Sequence, residues 1–121
     1  MSRLSQGLVL LAFSFALWAF CGSLIAAGQL IMSMDATLVL HATGAPIGAV
    51  VAAWTYFRFF GSFTPLAVAL AFLVTAVLLD VFVVAMLIER SFAMFASPLG
   101  TWIPLTLIFL AALVTGLAMR Q

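Results

Sequence analysis

The chain has 121 residues, 68% of them hydrophobic and only 6% charged, and a mean hydropathy of +1.41. A chain this short leaves much of its surface facing solvent, so no water-soluble domain conceals that much apolar side chain, and the expected solvent is a lipid bilayer. The formal net charge of +1, carried by four arginines and no lysine, forms no basic patch, so no nucleic-acid partner is expected.

The ionisable side chains are Arg3, Asp35, His41, Arg58, Asp80, Glu89, Arg90 and Arg120. A helix crosses a bilayer with about 20 apolar residues at 1.5 Å each. Four such segments fit between or around the charges, at roughly 7–30, 37–58, 65–88 and 102–119. The expected architecture is all-α: a single domain forming a four-helix up-and-down transmembrane bundle.

The first segment repeats small residues at Ala12, Ala16, Ala19, Ser23 and Ala26, a seam suited to helix packing. Arg3, the apolar run and Ala26–Ala27–Gly28 together have the outline of a cleaved signal peptide. The run is longer than the usual core of about 7–15 residues, which favours a retained anchor; cleavage would leave three spans. Cys21 stands alone and makes no internal disulfide.

The second segment begins near Asp35, a candidate cap, and carries His41. His41 shares a helical face with Gly44, Gly48 and Ala52. The Gly44-x-x-x-Gly48 spacing lets a neighbouring backbone approach, within the bundle or between protomers. Pro46 cannot donate to the carbonyl of Ala42, which predicts a kink and an available acceptor beside the histidine. Arg58 is expected to snorkel to the cytoplasmic surface.

Gly61–Ser62–Phe63 allows only a tight antiparallel hairpin, and Thr64–Pro65 then reads as an N-cap with a first-turn proline. The run from Leu66 to Ile88, LAVALAFLVTAVLLDVFVVAMLI, contains Asp80 as its sole ionisable group. A carboxylate near the bilayer centre costs roughly 2.5–3.5 kcal/mol on insertion scales, so it normally faces a partner or a wet cavity. Asp80 shares its face with Ala69, Leu73 and Ala76. Glu89 and Arg90 form an interfacial charge cluster, and the link 91–100, with Phe92, Met94, Phe95 and Pro98, is expected to lie along the membrane surface. Thr101 is the candidate cap of the fourth segment. Trp54, Tyr56 and Trp102 fall near the expected interfaces.

With four spans, Arg3, Arg58 and Arg120 share one side, and Asp35, Glu89 and Arg90 share the other. The positive-inside rule then places both termini in the cytoplasm of a multi-pass inner-membrane protein. His41 lies about 9 Å from the outer end of its helix and Asp80 roughly 13–14 Å from the same face, so their depths agree within about 5 Å. Consecutive spans joined by a short hairpin are expected to be neighbours, which makes a His41–Asp80 polar site the candidate functional feature. The plain alternative is a buried pair that fixes helix register. Such contacts average only about 0.6 kcal/mol, a weak reason to carry a carboxylate there. Imidazole titrates near neutrality, so proton or cation handling is the sharper reading.

Enzymatic readings fail on inventory. A lone histidine cannot serve several haem ligations, His-Glu-x-x-His is absent, and three acids, one histidine and one cysteine at different levels build no metal site. Ser14, Ser23 and Ser33 exist, but no spacing sets one beside His41. No cofactor, metal or catalytic residue is expected. Small multidrug transporters share this size and span number but carry their essential acid in the first helix, where this chain has none.

LHATGAPI at 40–47, LLDVFVVAMLIERS at 78–91 and SPLGTWIPLTLIFL at 97–110 resemble segments of small four-span bacterial membrane proteins without an assigned function. The resemblance runs from the second segment onward and implies a fold but no activity. The leading expectation is a non-enzymatic inner-membrane protein, an accessory or assembly subunit with a polar His41–Asp80 core, whose partners are the bilayer and a homo-oligomer or larger membrane complex. The alternative is a proton- or ion-coupled small transporter or channel acting as an oligomer, since four helices leave little room for a pathway.

Overall fold

The computed structural model describes residues 2–61, 63–88 and 101–119, and among them every regular element is helical. Helix α1 spans Arg3–Ile31, α2 Met34–Phe59, α3 Pro65–Leu79 and α4 Ile103–Met119, and α3 continues as a π-helical segment over Asp80–Ile88. Glu89, Arg90, the link 91–100 and Arg120 lie outside the described residues.

Short hydroxyl side chains start the first three helices. Ser2 accepts from the Ser5 N–H at 3.1 Å, Ser33 from Ala36 at 3.2 Å and Thr64 from Ala67 at 3.2 Å, each relieving an unpaired first-turn donor. Thr64–Pro65 acts as the sequence suggests. Asp35 does not cap α2: Ser33 has the extended backbone a cap requires, and Asp35 sits inside the first turn, where its charge complements the helix dipole. Thr101 is also no flanking cap. It and Trp102 are already wound in π geometry, and Thr101 is turned inward, 2% exposed.

At the end of α2 the N–H groups of Phe60 and Gly61 both donate to the Tyr56 carbonyl, at 2.8 and 3.0 Å. Gly61 has φ +60, and a Cβ there would lie 3.2 Å from the Phe57 carbonyl oxygen, so the chain reverses at a residue that tolerates this geometry.

Helix order around the bundle differs from chain order. Helix α1 packs on α2 and α3, and α4 packs on α2 and α3. Helices α2 and α3 therefore stand at opposite corners, although only residues 60–64 join them. Directions still alternate up and down: Gly28 near the end of α1 meets Thr37 near the start of α2, and Gly116 near the end of α4 meets Pro65 and Phe57.

The interior is lined by small side chains. Ala45, Ala49, Ala53, Ala69 and Ala112 have no exposed surface, and Phe72 and Tyr56 are the largest side chains sealed among them. The outside carries the bulk, with Leu11, Ile47, Val51, Val74 and Val114 all exposed. That distribution suits an apolar solvent, in which helices associate through close backbone approach rather than through water exclusion. Arg3–Ile31, Met34–Phe59 and Pro65–Leu87 are each long and apolar enough to cross a membrane, whereas Ile103–Met119 is a shorter apolar helix of 17 residues.

Several face assignments change. The small seam of α1, Ala12, Ala16, Ala19, Ser23 and Ala26, points outward, and Leu10, Ser14, Leu17 and Cys21 face the core. The deepest stripe of α2 is Thr37, His41, Ala45, Ala49 and Ala53, one position round from the glycines. Gly44 and Gly48 pack within the chain, against α1: a Cβ would come 2.5 Å from Leu24 Cδ1 at Gly44 and 2.7 Å from the Phe20 ring at Gly48. Helix α2 runs unbroken through Pro46. Tyr56 is no interfacial ring but fully buried, edge-on to Phe13 and Phe57, whereas Trp54 and Trp102 are half-exposed. Arg58 is exposed in the last turn of α2, its guanidinium 5.8 Å from the Phe59 ring centre.

Gly116 meets the rigid ring of Pro65, with a Cβ–Cβ separation of only 2.6 Å, so Gly116→Ala is expected to destabilise the bundle by about 1–3 kcal/mol through overpacking. Gly7 has nothing within 4 Å of an added Cβ, and Gly7→Ala is expected to be neutral or stabilising. Thermal unfolding of the two variants in the same detergent checks the contrast; equal midpoints would contradict the packing.

Candidate functional site

Asp80 sits where α3 changes from α to π geometry. Its N–H is shared between the carbonyls of Ala76 and Val77, and the wider winding begins with Asp80 itself. Runs of π-helix are rare and recur at functional positions. Along the π-helical segment α3 makes few close contacts with the other described helices. Beside it lies a cavity of about 550 Å³. Asp80, Ala76 and Phe72 line it from α3, Ser14, Trp18 and Cys21 from α1, His41 from α2, and Leu105 and Ile108 from α4.

The carboxylate has a partner that the sequence reading missed. Trp18 Nε1–H donates to Asp80 Oδ1 at 3.0 Å, tying α1 to α3. An indole N–H is a donor only and seeks an acceptor when withdrawn from water. The signal was present in the register: α1 and α3 start at the same end of the bundle, and Trp18 and Asp80 each lie 15 residues beyond the first residue of their helix, Arg3 and Pro65. At 1.5 Å per residue both reach about 22 Å along parallel axes.

His41 and Asp80 line the same cavity, but among the described residues no hydrogen bond or ion pair joins them. The cause is the diagonal placement of α2 and α3, with α1 and α4 closing the ring between them. His41 is 8% exposed, and its Nδ1 is sealed without a hydrogen-bond partner. The Ala42 carbonyl freed by Pro46 is therefore not taken up by that nitrogen. Ser14 is already engaged, its hydroxyl donating to the Leu10 carbonyl at 2.9 Å.

Asp80 Oδ2 takes no hydrogen bond among the described residues and is not sealed from the cavity. The cavity reaches the outside along α1, where Gly22, Ser23, Ala26 and Gln29 line it and are exposed. Gln29 is in the last turn of α1, so the opening lies toward the end of the bundle where α2 begins. Chemically, the arrangement presents one carboxylate oxygen and an indole in an apolar recess, with an imidazole in the wall whose Nδ1 is sealed. The interfacial pair expected at Glu89 and Arg90 lies outside the described residues.

If the Trp18–Asp80 bond couples the two helices, Trp18→Phe and Asp80→Leu are expected to be non-additive in unfolding free energy by about 0.6–1.7 kcal/mol, the range of interhelical hydrogen bonds in membranes. Asp80→Asn retains an acceptor oxygen and is expected to keep most of that coupling. Strict additivity in the cycle would dismiss the bond.

No family model, curated protein or solved structure matches the chain, so the reading of its function rests on the geometry of this site.

Proposed function

We propose that the protein is a non-enzymatic, four-span inner-membrane protein, with both termini cytoplasmic, that binds and releases a cationic species at Asp80, in the simplest case a proton. The observation that carries this reading is an open carboxylate oxygen in the wall of an apolar cavity that reaches the outside along α1. Ionisable groups inside membrane helices face the bundle interior or a wet cavity and mark ion and proton pathways. His41, facing the same cavity, is a second group able to take up and release a proton. Antiparallel packing of α4 against α3 supports a fourth span, and the arginines at the shared end of α1 and α2 support the orientation. The site needs no second copy to assemble. A complete pathway across the bilayer calls for the oligomer, and Ala12 and Ala16, outward on α1 and clear of the cavity mouth, are a surface on which another helix can come close.

One observation favours a second reading, an accessory or assembly subunit of a larger membrane complex. The Trp18–Asp80 bond makes the carboxylate a tie between α1 and α3, as a purely structural role requires.

The two readings part on a single variant. In vesicles holding a pH-sensitive dye, the first expects Asp80→Asn to abolish pH-driven flux while the unfolding midpoint stays near that of the parent. The second expects unchanged flux and impaired recovery of partner subunits. Failure of the parent protein to move protons or solutes under any imposed gradient would end the transport reading.

A further inference from the structure

We propose that the cavity beside Asp80 binds a hydrophobic organic monocation, with its positive centre against Asp80 Oδ2 and its apolar body between α1, α3 and α4. The proposal rests on the reading that Asp80 takes a cationic species and names the class of that species beyond the proton.

Charge comes first. Asp80 Oδ1 is committed to Trp18, and Oδ2 is open to the cavity. Among the described residues no arginine or histidine lies within ion-pair distance of it, and Arg3 and Arg58 belong to the opposite end of the bundle. A desolvated carboxylate without a counter-charge is stabilised most by a cation delivered in an equally apolar body, because neither partner then gives up strong hydration.

The lining decides what kind of cation. A hard inorganic ion calls for six or more oxygen ligands, or for a cage of water and carboxylates. Among the described residues Asp80 brings the one carboxylate, the neutral side-chain oxygens of Ser14, Ser23, Gln29 and Thr101 are spread over three helical turns or more, and Leu17, Phe72, Leu105 and Ile108 supply much of the wall. The Trp18 indole, hydrogen-bonded to the same carboxylate, sets an aromatic ring beside the expected position of the charge, and such rings attract an ammonium or phosphonium centre through their quadrupoles. A volume of about 550 Å³ suits a molecule of drug size, within the usual range of about 300–1,000 Å³. Entry is available where Gly22, Ser23 and Ala26 line the recess and remain exposed.

The same geometry sets a competition with protons. The ionisable groups facing the cavity are Asp80 from α3, Cys21 from α1 and His41 from α2, and the described part of α4 adds none. Protonating Asp80 removes the attraction, and protonating His41 places a like charge in the ligand's space. Both act in one direction, so acid weakens binding.

The test uses the full chain with Trp54→Phe and Trp102→Phe, which leaves Trp18 as its sole tryptophan. In nanodiscs of zwitterionic lipid, tetraphenylphosphonium is titrated against Trp18 fluorescence, with tetraphenylborate as the anion of the same shape. The expected result is saturable quenching by the cation alone, roughly tenfold or more weaker in Asp80→Asn, as loss of a desolvated charge pair requires. Ala76→Leu, which narrows the cavity one turn below Asp80, is expected to weaken it as well. Should either variant fail to fold, the parent's own pH series decides: binding must weaken as pH falls, and pH-independent binding overturns the proposal. Equal saturation by cation and anion, or binding indifferent to both variants, overturns it too. Proton flux that depends on Asp80, together with no saturable phosphonium binding, rejects the organic cation and leaves the proton reading standing.

Discussion

Close packing over small inner-face residues is the constraint on which this bundle depends. In an apolar solvent nothing is gained by burying leucine, so association rests on contact between backbones and on the few polar bonds available. The buried alanines of α2 and α3 keep the inner faces small, and Gly28, Gly44, Gly48 and Gly116 each admit a neighbouring side chain into the space a Cβ would take. Large side chains are displaced to the outside, where lipid receives them. Of the large rings, Tyr56 and Phe72 are almost wholly buried among the small residues.

The cavity follows from relaxing this rule at one end. Along α2 the alanine stripe ends in His41, and along α3 the alanine stripe ends in Asp80, where the helix widens into π geometry. Polar side chains from α2 and α3 thus meet at the cavity wall. Trp18, long enough to reach across from α1, stops the carboxylate from being left entirely unpaired. Its single N–H satisfies one of two carboxylate oxygens, and that partial satisfaction separates a structural tie from a site with chemical capacity.

Much of the fold was legible because hydropathy and end signals are local. The four apolar runs, the Thr64–Pro65 start and the exposed Arg58 are all read from neighbours in sequence. The faces were less legible. In a membrane helix both sides are apolar, so small residues at Ala12, Ala16 and Ala19 looked like an interface yet point outward, and Tyr56 looked interfacial yet is buried. The identity of the polar residues at mid-depth was evident, and Asp80 does face the interior cavity. Its partner was not. Proximity in the chain suggested His41, whereas helix order, a property of all four helices at once, brought Trp18 instead.

The diagonal placement of α2 and α3 also bears on how the protein is made. A helical hairpin whose arms stand at opposite corners cannot mature as a unit, however short its turn. Helix α1, synthesised first, is the surface on which both arms can settle, and the Trp18–Asp80 bond can form as soon as α3 is in place. The last wall of the recess, with Leu105 and Ile108, arrives with α4. Until then Trp18 alone holds the carboxylate and the recess lacks one wall, so the cavity is completed only with the last helix.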